Sequence, residues 1–325
     1  MKNELHTYLK DEIDAVDLEL QKDITADITL LQDVFRHIFG AGGKRLRPLL
    51  TLAIGKMTSK SNSVQKATIL LAAAVELIHT ATLLHDDVID NAAVRRNLPT
   101  ANSLWDNKTS ILVGDNMLSK AFQLIVESDK LRAFKDLADA SATISAAEVW
   151  QLQILNKIDT SVDEYIRLVT EKTAVLFGSA CAVGAITNDC NDEIISSARA
   201  FGINFGILYQ IKDDWLDYFG DEEKIGKETF QDIREGKVTL PMILLLQKLK
   251  EGNFINEINY IKSIYSGSEL DRNKISEMIK TFEVEKEITS FSKKYFDEAS
   301  IALSKISPKD ELYLILDGLL NSTFA

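Results

Sequence analysis

Two aspartate clusters dominate the chemistry that this sequence can support. DDVID at 86–90 and DDWLD at 213–217 both lie in apolar helical sequence, where carboxylates are costly unless positive charge neutralises them. Residues four apart share a helix face, so Asp86 and Asp90 can converge on one ion, and the second cluster repeats this spacing. Carboxylates without His or Cys suit a hard cation such as Mg²⁺, which also takes water and substrate phosphate. The candidate metal ligands are Asp86, Asp87, Asp90, Asp213, Asp214 and Asp217. The pattern predicts metal-assisted diphosphate chemistry rather than an acidic face in solvent.

A basic segment, GGKRLRP at 42–48, supplies complementary charge. It lies at a predicted loop-to-helix junction, where free backbone N–H groups and the helix dipole favour anions. Arg presents a fork of donors to phosphate oxygens, while Lys acts as a point charge. Alone, such a segment is more often a solvated basic turn than an anion site. Arg95 and Arg96 follow the first cluster and could either pair with it or hold the far side of a bound diphosphate.

Several further polar residues are functional candidates only because they lie near the Asp clusters or the predicted lid in the sequence. His79 lies two turns before Asp86 on a similar helix face, whereas His85 points elsewhere and receives no role. Segment 220–236 is polar and punctuated by glycine, which predicts a loop or lid. The remaining candidates are Lys172, Thr173, Gln210, Lys227 and Lys237.

Composition predicts one all-α domain over residues 1–325. The chain has 46% apolar residues but only 15 Gly and 4 Pro, and its common residues favour helix. Helices are expected over one or two segments within 3–38, over 64–91, 100–107, 110–128, 131–157, 162–186 and 192–218, from Pro241, and in three or four segments of the last 75 residues.

Charge and apolar runs limit the partners and the compartment. A net charge of −12 argues against a general nucleic-acid surface. The two cysteines lack the spacing of metal ligands or of a disulfide framework, which favours a reducing cytoplasm. The longest apolar run, 175–186, is too short to span a bilayer, so no transmembrane segment is expected.

The motifs, taken in order, resemble the trans-isoprenyl diphosphate synthase (polyprenyl synthetase) family, and octaprenyl diphosphate synthases most. The matching pieces are GGKRLRP, ELIHTATLLHDDVID with the following RR, LVGD at 112–115, EKTA at 171–174, YQIKDDWLDYFGD and GK…REGKVTLP. The resemblance implies an isoprenoid-synthase-type helical bundle around a central apolar cavity, usually a homodimer. It implies head-to-tail condensation of an allylic diphosphate with isopentenyl diphosphate, with two or three Mg²⁺ per active site. Transient membrane contact during product release is a further expectation.

The resemblance also implies roles for individual residues. The Asp clusters would hold Mg²⁺ on the allylic diphosphate, with Asp86, Asp87, Asp90, Asp213, Asp214 and Lys172 as the catalytic set. The expected isopentenyl diphosphate ligands are Lys44, Arg47, His79 and Arg96. Those expected on the allylic side are Arg95, Lys172, Thr173, Gln210, Lys227 and Lys237.

Small residues before the first cluster bear on product length. In the family, bulky aromatics at the positions of Ala81 and Thr82 stop growth at short products, so their absence predicts a long product of about C40 made from farnesyl diphosphate. Ile125 and Leu137 align with the cavity floor, and Phe122, Phe134 and Trp150 are expected nearby. The alternative is a shorter product, from geranylgeranyl to heptaprenyl diphosphate.

Three other functions are open at this stage. A terpene cyclase or a head-to-head synthase would usually lack the basic segment. A regulatory subunit would tend to lose one Asp cluster, and a helical scaffold would not bind diphosphate with Mg²⁺. One departure from the family is Phe230, which stands where Gly is common in the lid and could alter its conformation.

Overall fold

The computed structural model describes residues 2–22, 28–40, 42–95, 97–220, 228–307 and 311–324. The helices are α1 Lys2–Tyr8, α2 Lys10–Gln21, α3 Thr29–Gly40, α4 Leu46–Met57, α5 Lys66–Ile89, α6 Ala101–Leu104, α7 Asn107–Glu127, α8 Leu131–Ile154, α9 Val162–Val169, α10 Val175–Ile186, α11 Asp192–Phe219, α12 Gln231–Arg234, α13 Leu240–Glu251, α14 Ile255–Tyr265, α15 Arg272–Thr281, α16 Val284–Ser304 and α17 Glu311–Phe324. A π-helical turn, Thr170–Ala174, joins α9 to α10. Two short antiparallel strands, β1 Val94–Arg95 and β2 Leu98–Pro99, are the sheet structure of the described residues.

Helix α5 lies at the centre of the bundle and packs against α2, α4, α7 and α10. Its apolar residues cover most of its faces, which is typical of a helix enclosed by others. Two contacts show that α5 and α7 are antiparallel. The Ser110 hydroxyl donates to the Leu84 carbonyl (3.0 Å), and the Lys66 ammonium pairs with Glu127 (2.7 Å) at the other end. Both ends of α5 are therefore held in one register.

Helices α10 and α11 approach each other closely because glycines line their contact. A Cβ at Gly202 would lie 2.3 Å from the Phe177 carbonyl oxygen, and one at Gly206 would lie 2.7 Å from the Ala174 Cα. Residues with side chains would separate the helices. This close packing brings the second Asp cluster on α11 next to the π-helical turn.

Two helical segments are long and apolar enough to cross a membrane, by length and composition alone. They are Lys66–Ile89 and Val162–Ile186, and 72% of each tested window is buried inside the protein. The sequence criterion was the longest uninterrupted apolar run, and it did not detect these segments because scattered polar residues interrupt both. Burial of this extent is what the core helices of a folded bundle show.

The all-α prediction is confirmed, with changes at element boundaries. Residues 3–38 hold three helices rather than one or two, because Leu9 leaves the helical conformation (φ −106°, ψ 28°) while its side chain is fully buried. The expected lid contains the short helix α12. One continuous hydrophobic core runs through the described helices. The assignment of a single domain to 1–325 stays a prediction.

Candidate active site

The first Asp cluster lies at the C-terminal end of α5. Asp86 and Asp90 are partly exposed and Asp87 is buried, while Asp90 is the residue that ends the helix. Burial raises the pKa of Asp86, although the positive charge of Lys172 opposes this. Arg95 directs Nε and Nη2 at the same oxygen of Asp87, each at 2.8 Å. The sequence left two options for Arg95, and in this structure it pairs with the cluster.

The second cluster divides into one exposed and two buried carboxylates. Asp213 is exposed, whereas Asp214 and Asp217 are buried. Asp214 accepts a hydrogen bond from the Tyr165 hydroxyl (2.6 Å) on one oxygen and from the Gln210 amide (2.7 Å) on the other. Burial and the charge of Asp214 raise the pKa of Tyr165 well above its usual value, so the phenol stays a donor. Asp214 is thus held rigidly by the protein itself.

Asp217 connects α11 to the lid. Its two carboxylate oxygens accept the backbone N–H groups of Gln231 (3.2 Å) and Asp232 (3.1 Å), at the start of α12. The backbone N–H of Phe230 donates to the Asp217 carbonyl at 2.6 Å. Phe230 has φ 61°, the left-handed region, and its ring is buried with its centroid 5.3 Å from that of Tyr218. The side chain that replaces the family's glycine therefore adopts the glycine-like conformation, and ring packing stabilises it.

Lys237 joins the lid to the first cluster. Its ammonium lies 3.0 Å from an Asp90 oxygen and 2.5 Å from one of Glu235. Burial alone would lower the pKa of Lys237, but the charges of Asp90 and Glu235 outweigh it and hold the pKa above its usual value. The lid residues from 228 onward are therefore held at both Asp clusters.

Lys172 lies on the π-helical turn and faces α8. Its ammonium donates to Glu148 (2.7 Å) and Gln151 (3.2 Å), and its charge acts on Asp86. Burial raises the pKa of Glu148, against the opposing charge of Lys172. The Thr173 hydroxyl donates to Gln210 (3.1 Å), which ties this turn to the second cluster. Sequence reasoning missed Tyr165, Glu148 and Gln151, although the last two share a face of α8 through their spacing of three.

The basic segment leads into α4, and one of its cations, Arg45, lines a cavity together with His79. The Arg47 guanidinium lies 4.0 Å from the centroid of the Phe177 ring. Burial lowers the pKa of Lys212, and the neighbouring charge of Lys44 adds to this effect. A small cavity of about 70 Å³ brings together, among others, His79, Arg95, Asp87, Arg45 and Glu76. The predicted ligands Arg96 and Lys227 lie outside the described residues.

The predicted product-length residues lie at two depths. Ala81 is fully buried, and the Thr82 hydroxyl donates to the His79 carbonyl at 2.8 Å. Ile125 and Leu137 are also buried. Ile125 is fifteen residues beyond Ser110 on α7, which places it about 22 Å further from the catalytic end.

The expected neighbours of the floor lie in different places. Phe122 on α7 and Phe134 on α8 are 42% and 37% exposed, and their ring centroids are 6.4 Å apart, within one turn of Ile125 and Leu137. Trp150 lies 4.3 Å from the Arg167 guanidinium, between Glu148 and Gln151 at the Lys172 end of α8. Trp150 is therefore several helical turns away from Leu137.

The polyprenyl synthetase family model matches residues 28–281. The chain belongs to the polyprenyl synthetase family. It is a prenyltransferase of the polyprenyl diphosphate synthase class with the helical isoprenoid-synthase fold. The family assignment that the motifs predicted is confirmed.

Relatives within this polyprenyl synthetase family differ in product. A nonaprenyl diphosphate synthase (geranyl-diphosphate specific) from Rhodobacter capsulatus is 39% identical over 72% of this chain and 71% of its own. A geranylgeranyl diphosphate synthase from Saccharolobus solfataricus is 35% identical over 77% and 76%, and an Escherichia coli octaprenyl diphosphate synthase is 35% identical over 70% of each chain. The crystal structure of a Caulobacter crescentus polyprenyl synthase, complexed with calcium and isoprenyl diphosphate, matches with a TM-score of 0.91, 32% identity, and coverage of 100% of this chain and 97% of that one.

Proposed function

We propose that this prenyltransferase extends an allylic diphosphate, farnesyl diphosphate by preference, with successive isopentenyl diphosphates to an all-trans product of about C40. The observation that carries the proposal is a set of contacts that joins the two Asp clusters. Lys172 acts on Asp86, and its neighbour Thr173 donates to Gln210, which holds Asp214. Lys237, which adjoins the lid, pairs with Asp90. The sequence adds a separate basic segment. The Asp clusters with their lysines suit ionisation of one diphosphate, and the basic segment suits binding of a second anion. A cyclase or a helical scaffold would not need a site for each of two diphosphates.

The donor set fits Mg²⁺. The described cluster residues offer only oxygen ligands, and Asp86, Asp90 and Asp213 are the cluster members with solvent-accessible carboxylates. We assign direct ligation of two or three Mg²⁺ to these three. Asp87, Asp214 and Asp217 accept hydrogen bonds from the protein. In this proposal they lie behind the metal ligands, orient them and add negative charge to the site. When bound, Mg²⁺ stabilises the negative charge of the departing diphosphate.

The side chains then have distinct tasks in the condensation. Lys172, Thr173, Gln210, Lys237 and Arg95 hold the allylic diphosphate and stabilise charge as the C–O bond breaks. The C3–C4 double bond of isopentenyl diphosphate attacks C1 of the allylic cation, a new C–C bond forms, and a proton leaves C2. The departed diphosphate accepts that proton. The apolar walls exclude water, which would otherwise quench the cation.

The second diphosphate, that of isopentenyl diphosphate, is assigned to Lys44, Arg47 and His79, with a predicted contribution of Arg96. Lys227 is predicted on the allylic side, and both Arg96 and Lys227 lie outside the described residues. In this proposal the growing chain passes Ala81 and Thr82, whose small side chains leave more room than the aromatics of short-chain synthases, and extends towards Ile125, which is buried on α7. The small side chains support a long product over the alternative from geranylgeranyl to heptaprenyl diphosphate.

We further propose a homodimer built on α7 and α8. Their outer face exposes many apolar side chains, and these are Ile111, Leu112, Phe122, Val126, Leu131, Phe134, Val149 and Leu152. A second copy with the same face would cover them, since an apolar patch of this kind marks an interaction site. We propose that the enzyme works in the cytoplasm and touches the membrane only to release product.

The experiment is product analysis with purified enzyme, Mg²⁺, farnesyl diphosphate and radiolabelled isopentenyl diphosphate. The expected product chromatographs near C40. Products that stop at C15–C20 would overturn the long-chain assignment, and absence of isopentenyl diphosphate consumption would overturn the function. Asp86→Asn and Asp213→Asn should abolish turnover. The matched control is Asp139→Asn, which changes an exposed aspartate of α8 and should leave turnover intact.

A further inference from the structure

Arg45, the middle cation of the basic segment, turns into the protein. Only 12% of its side chain is exposed. Its Nη1 donates to Glu76 on α5 (2.9 Å), and its Nε donates to Asp17 on α2 (3.2 Å). The guanidinium also lies 5.1 Å from the centroid of the Phe39 ring on α3. One side chain therefore joins the basic segment to three other helices.

The backbone of Arg45 makes this attachment matter for its neighbours. Arg45 is the residue before α4 and has φ 43°, ψ 32°, a left-handed conformation that is unfavourable for a residue with a Cβ. Lys44 precedes it directly, and Arg47 follows in the first turn of the helix. A change in the Arg45 backbone would redirect both of these cations.

The acidic partner lies on the helix that carries His79. Glu76 is 6% exposed and precedes His79 by about one turn of α5. Its carbonyl accepts the Thr80 hydroxyl at 2.7 Å. Arg45 and Glu76 both line the small cavity that also contains His79 and Arg95. A buried ion pair of this kind fixes geometry, because loss of one partner leaves an uncompensated charge.

We infer that Arg45 and Glu76 are a positioning pair, which fixes the backbone that carries Lys44 and Arg47 against α5, the helix of His79, so that these three residues can bind the diphosphate of isopentenyl diphosphate. The inference rests on the proposed function of these three residues. Arg45 itself spends two of its donors on Glu76 and Asp17, so it acts through its neighbours rather than as a phosphate ligand.

The test compares Arg45→Lys and Glu76→Gln in the full-length enzyme by steady-state kinetics. Each variant should raise the KM for isopentenyl diphosphate about tenfold or more, because small misplacements of binding groups are costly. The KM for the allylic diphosphate should stay within about twofold, since its ligands lie on other elements. The double variant Arg45→Lys with Glu76→Gln should raise the KM for isopentenyl diphosphate no further than the more impaired single variant, because both substitutions break the same ion pair.

Controls separate this role from general destabilisation. Arg36→Lys alters an exposed ion pair with Asp33 on α3 and should leave both KM values unchanged. If Glu76→Gln fails to fold, Asp17→Asn removes the partly exposed partner (41%) and should still raise the isopentenyl diphosphate KM selectively, by a smaller factor. An equal rise in both KM values, or no rise, would overturn the inference. A wild-type enzyme that consumes no isopentenyl diphosphate would instead overturn the proposed function.

Discussion

Asp214 shows how a residue inside a DDxxD cluster can serve the site without facing the substrate. Both of its oxygens accept hydrogen bonds from the protein, from Tyr165 and Gln210. Residues behind a metal ligand fix its orientation and basicity, and their loss typically weakens metal binding or activity. The same reasoning applies to Glu148, which holds Lys172 in place.

Replacing Tyr165 by Phe tests this role directly. The substitution keeps the ring but leaves one oxygen of buried Asp214 without its hydroxyl donor. We expect the Mg²⁺ concentration for half-maximal rate to rise about 10- to 100-fold, measured by initial rates against Mg²⁺. Tyr295→Phe, on α16, should leave the Mg²⁺ dependence unchanged, because the acidic groups next to this phenol are Glu298 and Asp163 rather than members of the clusters. An unaltered Mg²⁺ dependence in Tyr165→Phe would show that Asp214 needs no support.

Ala81 is the second residue whose size can be tested. It is fully buried five residues before Asp86, so Ala81→Phe would place a ring across the proposed path of the product. We expect shorter products by chromatography, with a stability loss of about 1–3 kcal/mol from overpacking. Ala302→Phe, which changes a buried alanine of α16 outside the proposed product path, would impose a similar packing cost without a change in product length. Unchanged products from Ala81→Phe would place the path elsewhere.

The described part of the lid, residues 228–236, and the adjoining Lys237 are attached to both Asp clusters. Asp217 holds the start of α12, Lys237 reaches Asp90, and the Phe230 ring packs on Tyr218. Opening the lid must therefore break contacts to both clusters at once. We expect the substrate diphosphate to compete with Asp90 and Glu235 for Lys237 and so to loosen this attachment of the lid.

Phe230 gives an unusual order of stabilities. Phe230→Ala removes the buried ring and keeps an unfavourable φ of 61°, whereas Phe230→Gly removes the ring and relieves the backbone. We expect the Gly variant to be more stable than the Ala variant by about 1–2 kcal/mol, measured by urea unfolding. Both should have a raised KM for the allylic diphosphate. An Ala variant at least as stable as the Gly variant would contradict the backbone assignment.

Sequence reasoning located the parts of this site that depend on local spacing. Helical periodicity predicted α5 and α11, and a spacing of four predicted that Asp86 and Asp90 share a face. The pairing of Arg45 with Glu76 across 31 positions, and of Lys172 with Glu148 across 24, depends on how helices pack. Local patterns do not contain that information. They also could not show that Asp217 binds backbone N–H groups of the lid rather than solvent.

For the whole molecule, the decisive feature is the exposed apolar face of α7 and α8. Four of its exposed apolar residues, Ile111, Leu112, Phe122 and Val126, belong to α7, which packs directly along α5. Helix α7 carries part of the proposed dimer surface and also holds α5, with its Asp cluster, in register. Dimer formation and catalysis therefore depend on the same helix. A monomer should therefore be a poorer enzyme, even with every site residue present.

Leu112→Glu combined with Val126→Glu tests the interface. Both side chains are more than two-thirds exposed (67% and 69%), so the charges cost the monomer little but would be buried in a dimer. We expect the wild type to elute as a dimer and the double variant as a monomer by size-exclusion chromatography with light scattering. Leu314→Glu, on α17 and 68% exposed, should remain dimeric. A wild-type enzyme that is monomeric at micromolar concentration would contradict the proposed homodimer.

The antiparallel register of α5 and α7 has a consequence for how such enzymes diverge. About 22 Å of α7 separates Ser110, beside the first Asp cluster, from Ile125 at the predicted floor. Substitutions this far apart act independently in most proteins. If the floor sets product length as proposed, single substitutions there can exchange one product for another while the residues that ionise the substrate stay unchanged. That separation is consistent with two relatives, each 35% identical to this chain, whose names assign them geranylgeranyl and octaprenyl diphosphate as products.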